Sequence, residues 1–257
     1  MKLVFSGLSD VGQKRDHNED SFLIDQGLNL FVVADGMGGH AGGGTASRIA
    51  VKTIDNELRQ VRERKDSNPF RSSLPPSDLD NPLPEFLRST VETACRSIYR
   101  AAQEDPRLSG MGTTVTALLI HSKNEYAYIA HVGDSRAYLI RGEAVKQISE
   151  DHSLVNEQIK AGMISKEEAK QSRYKNIITR SVGFEEEVMV DVMGLKVEPG
   201  DTFVLCSDGL ANFAEDREIR EIIEKSPPPE AAKKFIDLAN SRGGDDNITV
   251  VVVQVGH

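Results

Sequence analysis

The chain is poor in several features that carry familiar chemistries. Two cysteines, Cys95 and Cys206, occur in 257 residues; they cannot build a disulfide framework, and their separation gives no CxxC metal or redox pair. Both read as buried structural thiols. A cysteine-based phosphate loop would need an arginine after five intervening residues, and Ala101 and Asn212 occupy those places. Thiolate catalysis is therefore unsupported. Long apolar runs are missing too: the stretch from Ile248 to Val253 is strand-sized, far short of the ~20 residues of a spanning helix. The opening MKLVFSGLSDVGQKRD is broken by Ser6, Gly7 and Asp10 and does not resemble a secretory leader, so the expectation is a cytoplasmic protein without a membrane anchor. Positive charge is in deficit, with 31 Lys and Arg against 40 Asp and Glu and a pI near 5.3. That balance lacks the basic footprint that neutralises nucleic-acid phosphates, and the one basic cluster, Arg59 to Lys65, reads as a solvated helix end. No Gly-Lys dipeptide occurs, which excludes a P-loop.

What is present suffices for a core. Hydrophobic residues make up 39% and charged ones 28%, a globular composition, and the length sits at the upper edge of what one hydrophobic core organises. A single domain over 1–257 is expected. Runs rich in Val, Ile, Leu and Tyr predict strands at 3–8, 28–34, 113–121, 125–132, 135–141, 189–197, 202–206 and 248–255, several close enough to form antiparallel hairpins. Helical periodicity marks 45–62, 86–102, 216–224 and 229–241. Strands, two helices, more strands, then helices and a last strand predict an α+β sandwich with helices covering sheets. Residues 65–84 hold five prolines and several serines and read as a surface loop. A polar, helical stretch at 151–183 reads as a flap over whatever the strands display.

The informative pattern is where aspartates fall. FVVADG ends a strand at Asp35, AHVGDSR places Asp134 between two strands, VLCSDG ends another at Asp208, and DDNITVVVV opens the last at Asp246. Singly, each reads as a turn. Together, carboxylates gathered at one end of a sheet core repel and lose solvation unless a cation compensates them. Oxygen-only donors favour Mg²⁺ or Mn²⁺ over zinc, and Gly36 leaves a backbone carbonyl open as a further oxygen ligand. Upstream, RDHNED sets Arg15, a planar donor fork suited to phosphate, before Glu19 and Asp20, acids able to hold metal-bound waters. The glycine-rich DGMGGHAGGGTAS after a strand imitates a nucleotide loop. Its fingerprint fails, because Asp55, about twenty residues on, lies inside a helical pattern rather than at a strand end.

Taken together, RDHNEDS, VVADGMGGHAGG, MGTTVTA, HVGDSRAYL, ISEDHSL, TRSVG, LCSDGL and GGDDNITVVVV resemble, in family order and across the chain from about Leu3 to Val255, the metal-dependent Ser/Thr protein phosphatases of the PP2C (PPM) family in their compact bacterial form. The resemblance implies a four-layer α-β-β-α sandwich, two antiparallel sheets flanked by helix pairs. It also implies a site with two Mn²⁺ or Mg²⁺ ions and a third. On that pattern Asp35 bridges two ions, the Gly36 carbonyl binds one, and Asp208 and Asp246 bind the other; Asp246 rather than Asp245 matches because it precedes Asn247. Asp134 with Asp208 matches the third position, Arg15 the phosphate-binding arginine, and Glu19 with Asp20 the outer acids. Where eukaryotic members place a histidine after the metal-binding Asp-Gly, this chain has Met37; His40 is the candidate general acid, and a metal-bound water serves equally. Gly44, often a larger residue in the family, and the longer 65–84 loop are further departures. The implied function is hydrolysis of phosphoserine and phosphothreonine monoesters by a metal-activated water, opposing bacterial-type Ser/Thr kinases on their phosphoprotein substrates. A catalytically silent phosphoprotein-binding module and a small phosphate-ester hydrolase are the alternatives.

Overall fold

The computed structural model describes residues 1–38, 42–63, 69–71 and 80–256. Twelve strands and seven α-helices are found among them. The strands are β1 (Leu3–Asp10), β2 (Ser21–Asp25), β3 (Leu30–Ala34), β4 (Gly36–Met37), β5 (Gly112–Thr113), β6 (Val115–His121), β7 (Tyr126–Val132), β8 (Arg136–Arg141), β9 (Ala144–Gln147), β10 (Asp191–Lys196), β11 (Thr202–Cys206) and β12 (Ile248–Val255). The helices are α1 (Gly42–Glu63), α2 (Pro82–Glu104), α3 (Leu154–Lys160), α4 (Lys166–Gln171), α5 (Asp208–Ala211), α6 (Asp216–Lys225) and α7 (Pro228–Ser241). One sheet runs β1-β12-β11-β8-β9, the other β10-β7-β6-β3-β2, and β4 pairs with β5; the pairings are antiparallel.

Strand periodicity explains the layers. In β3, Leu30 and Val32 face α1 and α2, while Phe31 and Val33 face the other sheet. In β12, Val251 and Val253 point into the same inter-sheet core, and Val250 and Val252 pack under α7 with Phe235. Both faces of the central strands are buried, so they read as continuous apolar runs rather than alternating ones. The four-layer α-β-β-α order follows.

The structure departs from the sequence reading at several elements. Helix α2 starts at Pro82, not Phe86, with Asn81 as its cap accepting from the Leu83 amide at 3.0 Å. Pro82 and Pro84 fit because first-turn residues have no intrahelical partner for an N–H, so the expected 65–84 loop ends earlier; much of the rest lies outside the described residues. Strand β3 begins at Leu30 rather than Leu28, because Asn29 takes a positive φ of 53° in the turn. Strands β2 and β9 went unpredicted; both are sheet edges. Asp208 heads the helical turn α5 instead of closing β11, which ends at Cys206. Residues 151–183, the stretch expected to form a flap, carry α3 and α4 and are tied to β5 by the Thr113–Val182 bridge.

Candidate metal centre

Strand register alone brings the acids together. Asp10 at the end of β1 lies opposite Ile248 at the start of β12, Cys206 at the end of β11 pairs with Val250 and with Arg136 at the start of β8, and Val132 at the end of β7 pairs with Val115. The residues just beyond these ends, Asp35, Asp134, Asp208 and Asp246, therefore share one edge of the sandwich.

Threonines fix the first of them. The Asp35 amide donates to Thr114 Oγ1 at 2.9 Å, and its carbonyl accepts from the Thr114 amide at 2.8 Å and from Thr113 Oγ1 at 2.9 Å. Thr114 Oγ1 lies 2.7 Å from Ser135 Oγ beside Asp134. Further in, His131 Nε2 lies 2.9 Å from the Glu150 carbonyl. A carbonyl only accepts, so Nε2 carries the proton and Nδ1 accepts from Thr116 Oγ1 at 3.0 Å. Burial, and then His152, lower the His131 pKa to about 4, which keeps the ring neutral. Gly36 and Gly43 allow the rest: a Cβ on Gly43 would meet the Gly36 carbonyl at 2.7 Å and one on Gly36 the Gly43 carbonyl at 2.1 Å, so α1 starts in direct backbone contact with the Asp35-Gly36 segment.

The acids are short of partners. Asp20 Oδ2 accepts from Ser207 Oγ at 2.8 Å, but Asp20 Oδ1, Asp134 Oδ1 and Asp208 Oδ1 are buried without any donor. Burial first, tempered by Thr249 and Ser207 and reinforced by Asp208 and Asp246, pushes Asp20 up to about 7. Burial, then Asp208 and Asp151, does the same to Asp134, also to about 7. Asp35 is driven well above the carboxylate range by burial and by Asp20, Asp208, Asp134 and Asp246. Asp208 is raised by burial and Asp246, against a hydrogen bond with Asp35. Among the described residues no three acidic, histidine or cysteine groups close on one point; the acids ring the edge, as mutual repulsion dictates. Orphaned buried carboxyl oxygens with no imidazole or thiolate among them suit a hard divalent cation, so the residues fit Mg²⁺ or Mn²⁺.

Arg15 reaches this edge by donating from Nη2 to Asp246 Oδ2 at 2.7 Å. Gly12 makes the approach possible, since at φ 80° any Cβ would sit 2.2 Å from the Asp246 carbonyl. Glu19 lies beside α1, its carboxyl carbon 2.9 Å from where a Gly43 Cβ would stand. Asp245 is exposed. His40 falls outside the described residues. Sequence reasoning missed Asn247, whose Oδ1 accepts from the Glu19 amide at 2.7 Å and whose Nδ2 donates to the Val11 and His17 carbonyls at 2.9 and 3.0 Å. It latches the Arg15 loop to β12, and its place directly after Asp246 was the available signal.

Known proteins share this architecture. A protein phosphatase 2C family model matches residues 12–241. The serine/threonine phosphatase stp of Listeria monocytogenes is 38% identical over 250 residues, 96% of this chain and 93% of that protein. The chain belongs to the protein phosphatase 2C family. The Streptococcus pneumoniae protein phosphatase PhpP, 37% identical over 262 residues, covers 98% of both chains. Among solved phosphatase 2C structures, Mycobacterium tuberculosis PstP/Ppp superposes with a TM-score of 0.85 at 32% identity over 99% of each chain. A PstP catalytic domain in complex with two manganese ions gives 0.82 at 33% identity, again over 99% of each.

Proposed function

We propose that the whole chain is one catalytic domain that hydrolyses phosphoserine and phosphothreonine in proteins, using divalent metal ions held at the edge where Asp35, Asp134, Asp208 and Asp246 meet. That the chain is a protein serine/threonine phosphatase follows from its family and relatives. No helix among the described residues is long and apolar enough to cross a membrane, and work in the cytoplasm on targets of bacterial-type Ser/Thr kinases is part of the proposal. The observation that carries the site is the set of buried, donorless oxygens on Asp20, Asp134 and Asp208 around Asp35.

Asp35 and the Gly36 carbonyl would hold one ion, Asp35, Asp208 and Asp246 a second, and Asp134 with Asp208 a third. When bound, the ions supply a water acidic enough to attack phosphorus and charge that screens the phosphoryl oxygens. The chain supplies orientation. The Arg15 fork turns from Asp246 to the phosphoryl oxygens, a charge-assisted contact that positions the phosphorus. Glu19 and Asp20 would accept hydrogen bonds from metal-bound waters, and Ser207 holds Asp20 in place for that role. The Thr113 and Thr114 bonds pin the Asp35 main chain from which its carboxylate projects.

The test is phosphate release from a phosphothreonine peptide and a phosphotyrosine peptide, with and without Mn²⁺. Release from the first alone, requiring metal and abolished by Asp208→Asn, is the expected result. Wild-type turnover by Asp208→Asn would refute the site.

A further inference from the structure

A groove of about 1060 Å³ leads away from Asp134 and Asp208 between the flap and the α5–α6 segment. It is far larger than a phosphate group requires. Its two walls carry opposite charge. On the flap side stand Lys166 and Lys170, one turn apart on one face of α4 with Ala169 between them in space, followed by Lys175. On the other side Glu215 and Asp216 open α6.

The remaining basic groups in the groove are already neutralised. Arg136 is paired with Asp151 at 2.6 Å and Arg217 with Glu221 at 2.9 Å, and the lining acid Glu150 is paired with Lys160. The three flap lysines have no such partner among the described residues: no carboxylate lies within 4 Å of their ammonium groups. Three unpaired cations along one wall of a groove that ends at the acid cluster form a surface for a negatively charged chain. The acid cluster itself, once compensated by metal, takes the phosphorylated residue, leaving the lysines to meet what flanks it.

We propose that this groove selects phosphorylated polypeptides by the charge of their flanking residues, with Lys166, Lys170 and Lys175 favouring substrates that carry Asp or Glu beside the phosphorylated residue on the side that lies along the flap. This rests on the reading that the acid edge is the phosphatase centre. Exposed ion pairs are individually weak, so three together amount to roughly tenfold in kcat/KM, and the effect shrinks with ionic strength because the lysines are solvated.

The experiment compares two phosphothreonine peptide pairs, one with three aspartates or three lysines before the phosphothreonine and one with them after it. Each is measured on wild type and on the triple variant Lys166→Gln, Lys170→Gln, Lys175→Gln, and each kcat/KM is divided by that for a small phosphate ester. In one of the two pairs the aspartate peptide should win by about tenfold on wild type at low salt, and the triple variant should lose that preference. Equal rates for aspartate and lysine peptides in both pairs, or a preference unchanged in the variant, overturns the proposal. If the lysines instead close the groove by reaching across to Glu215 and Asp216, the variant would speed peptides and ester alike, which also overturns it. Absence of turnover on both peptide and ester would strike the phosphatase reading instead, so the two failures are distinguishable.

Discussion

Asp20 offers the sharpest test of why this edge needs a cation. Its carboxyl is buried, one oxygen has no donor, and its pKa rises from the ordinary 3.8 to about 7, with burial the largest cause. A raised carboxyl pKa means the folded chain binds more protons than the unfolded one between pH 4 and 7, so metal-free stability falls as pH rises through that window. At pH 7.5 the ionised group costs the fold about 4 kcal/mol if it titrates alone, and about 2 kcal/mol if neighbouring Asp208 and Asp246 take up part of the load. At pH 5 the same arithmetic for the lone group leaves about 2 kcal/mol, and less if its neighbours share the load. The variant Asp20→Asn keeps an oxygen for Ser207 and removes the charge. In EDTA at pH 7.5 it should melt above wild type by about 4 to 8 °C, at about 2 °C per kcal/mol for a chain of this length, and the gain should shrink at pH 5. With saturating Mn²⁺ the order should narrow or reverse, since wild type gains binding free energy that the amide weakens. Calorimetry at the two pH values with and without metal measures all of this. A variant that melts at or below wild type in EDTA at pH 7.5 would refute the reasoning.

Other outcomes follow from the same geometry. Arg15→Ala should chiefly raise KM and lower kcat/KM by roughly 10 to 100 fold, the loss expected for one charged hydrogen-bonding group; unchanged steady-state kinetics on a phosphopeptide would contradict its role. Asp134→Ala should retain two tight Mn²⁺ sites by calorimetry while losing turnover, whereas two sites with normal turnover would reduce Asp134 to a turn residue. Gly44→Ala should stabilise the protein by about 0.5 to 1 kcal/mol, because the one tight neighbour of a Cβ there is the flexible end of Arg48, at 3.1 Å, while the Asn18 carbonyl and Glu19 Cα stand at an ordinary 3.6 Å. Gly43→Ala, facing the Gly36 backbone at 2.7 Å, should be destabilising and should weaken Mn²⁺ binding; thermal melts and metal titration of the pair decide.

The layers were legible in the sequence where both faces of a strand are buried, because 202–206 and 248–255 are nearly continuous apolar runs. Strand β9 was not, since Ala144–Gln147 is a largely exposed edge without apolar periodicity, and β2 hid behind the acids of RDHNED because its Ser21–Asp25 segment is only partly buried. The helix start at Pro82 was concealed by chemistry that reads as loop until an Asn cap is placed before it. Ligand candidates stood out by type, but the residues that aim them did not. Thr114, Ser207 and Asn247 are common turn and cap residues, and only the register of β6, β11 and β12 shows that their polar atoms converge on Asp35, Asp20 and Glu19.

This difference has a physical origin that bears on function. A sequence specifies its fold where local preference, burial and polar pairing agree, and departs from that agreement where something outside the chain completes the structure. Here the disagreement gathers at one edge: Asp20, Asp134 and Asp208 present buried oxygens without donors, whereas such atoms elsewhere, on His121, Arg220 and Asn240, occur singly, and the half-buried ion pair of Arg136 with Asp151 nearby is satisfied by several hydrogen bonds. The core of the two sheets offsets the cost of holding those carboxyls together. Because that cost is set by charge, it vanishes on protonation or on binding a cation, and the pH window of the Asp20 effect and the metal dependence of turnover are two readings of one stored repulsion. A chain that lost the repulsion by neutralising these acids would be easier to fold and unable to collect the metal ions.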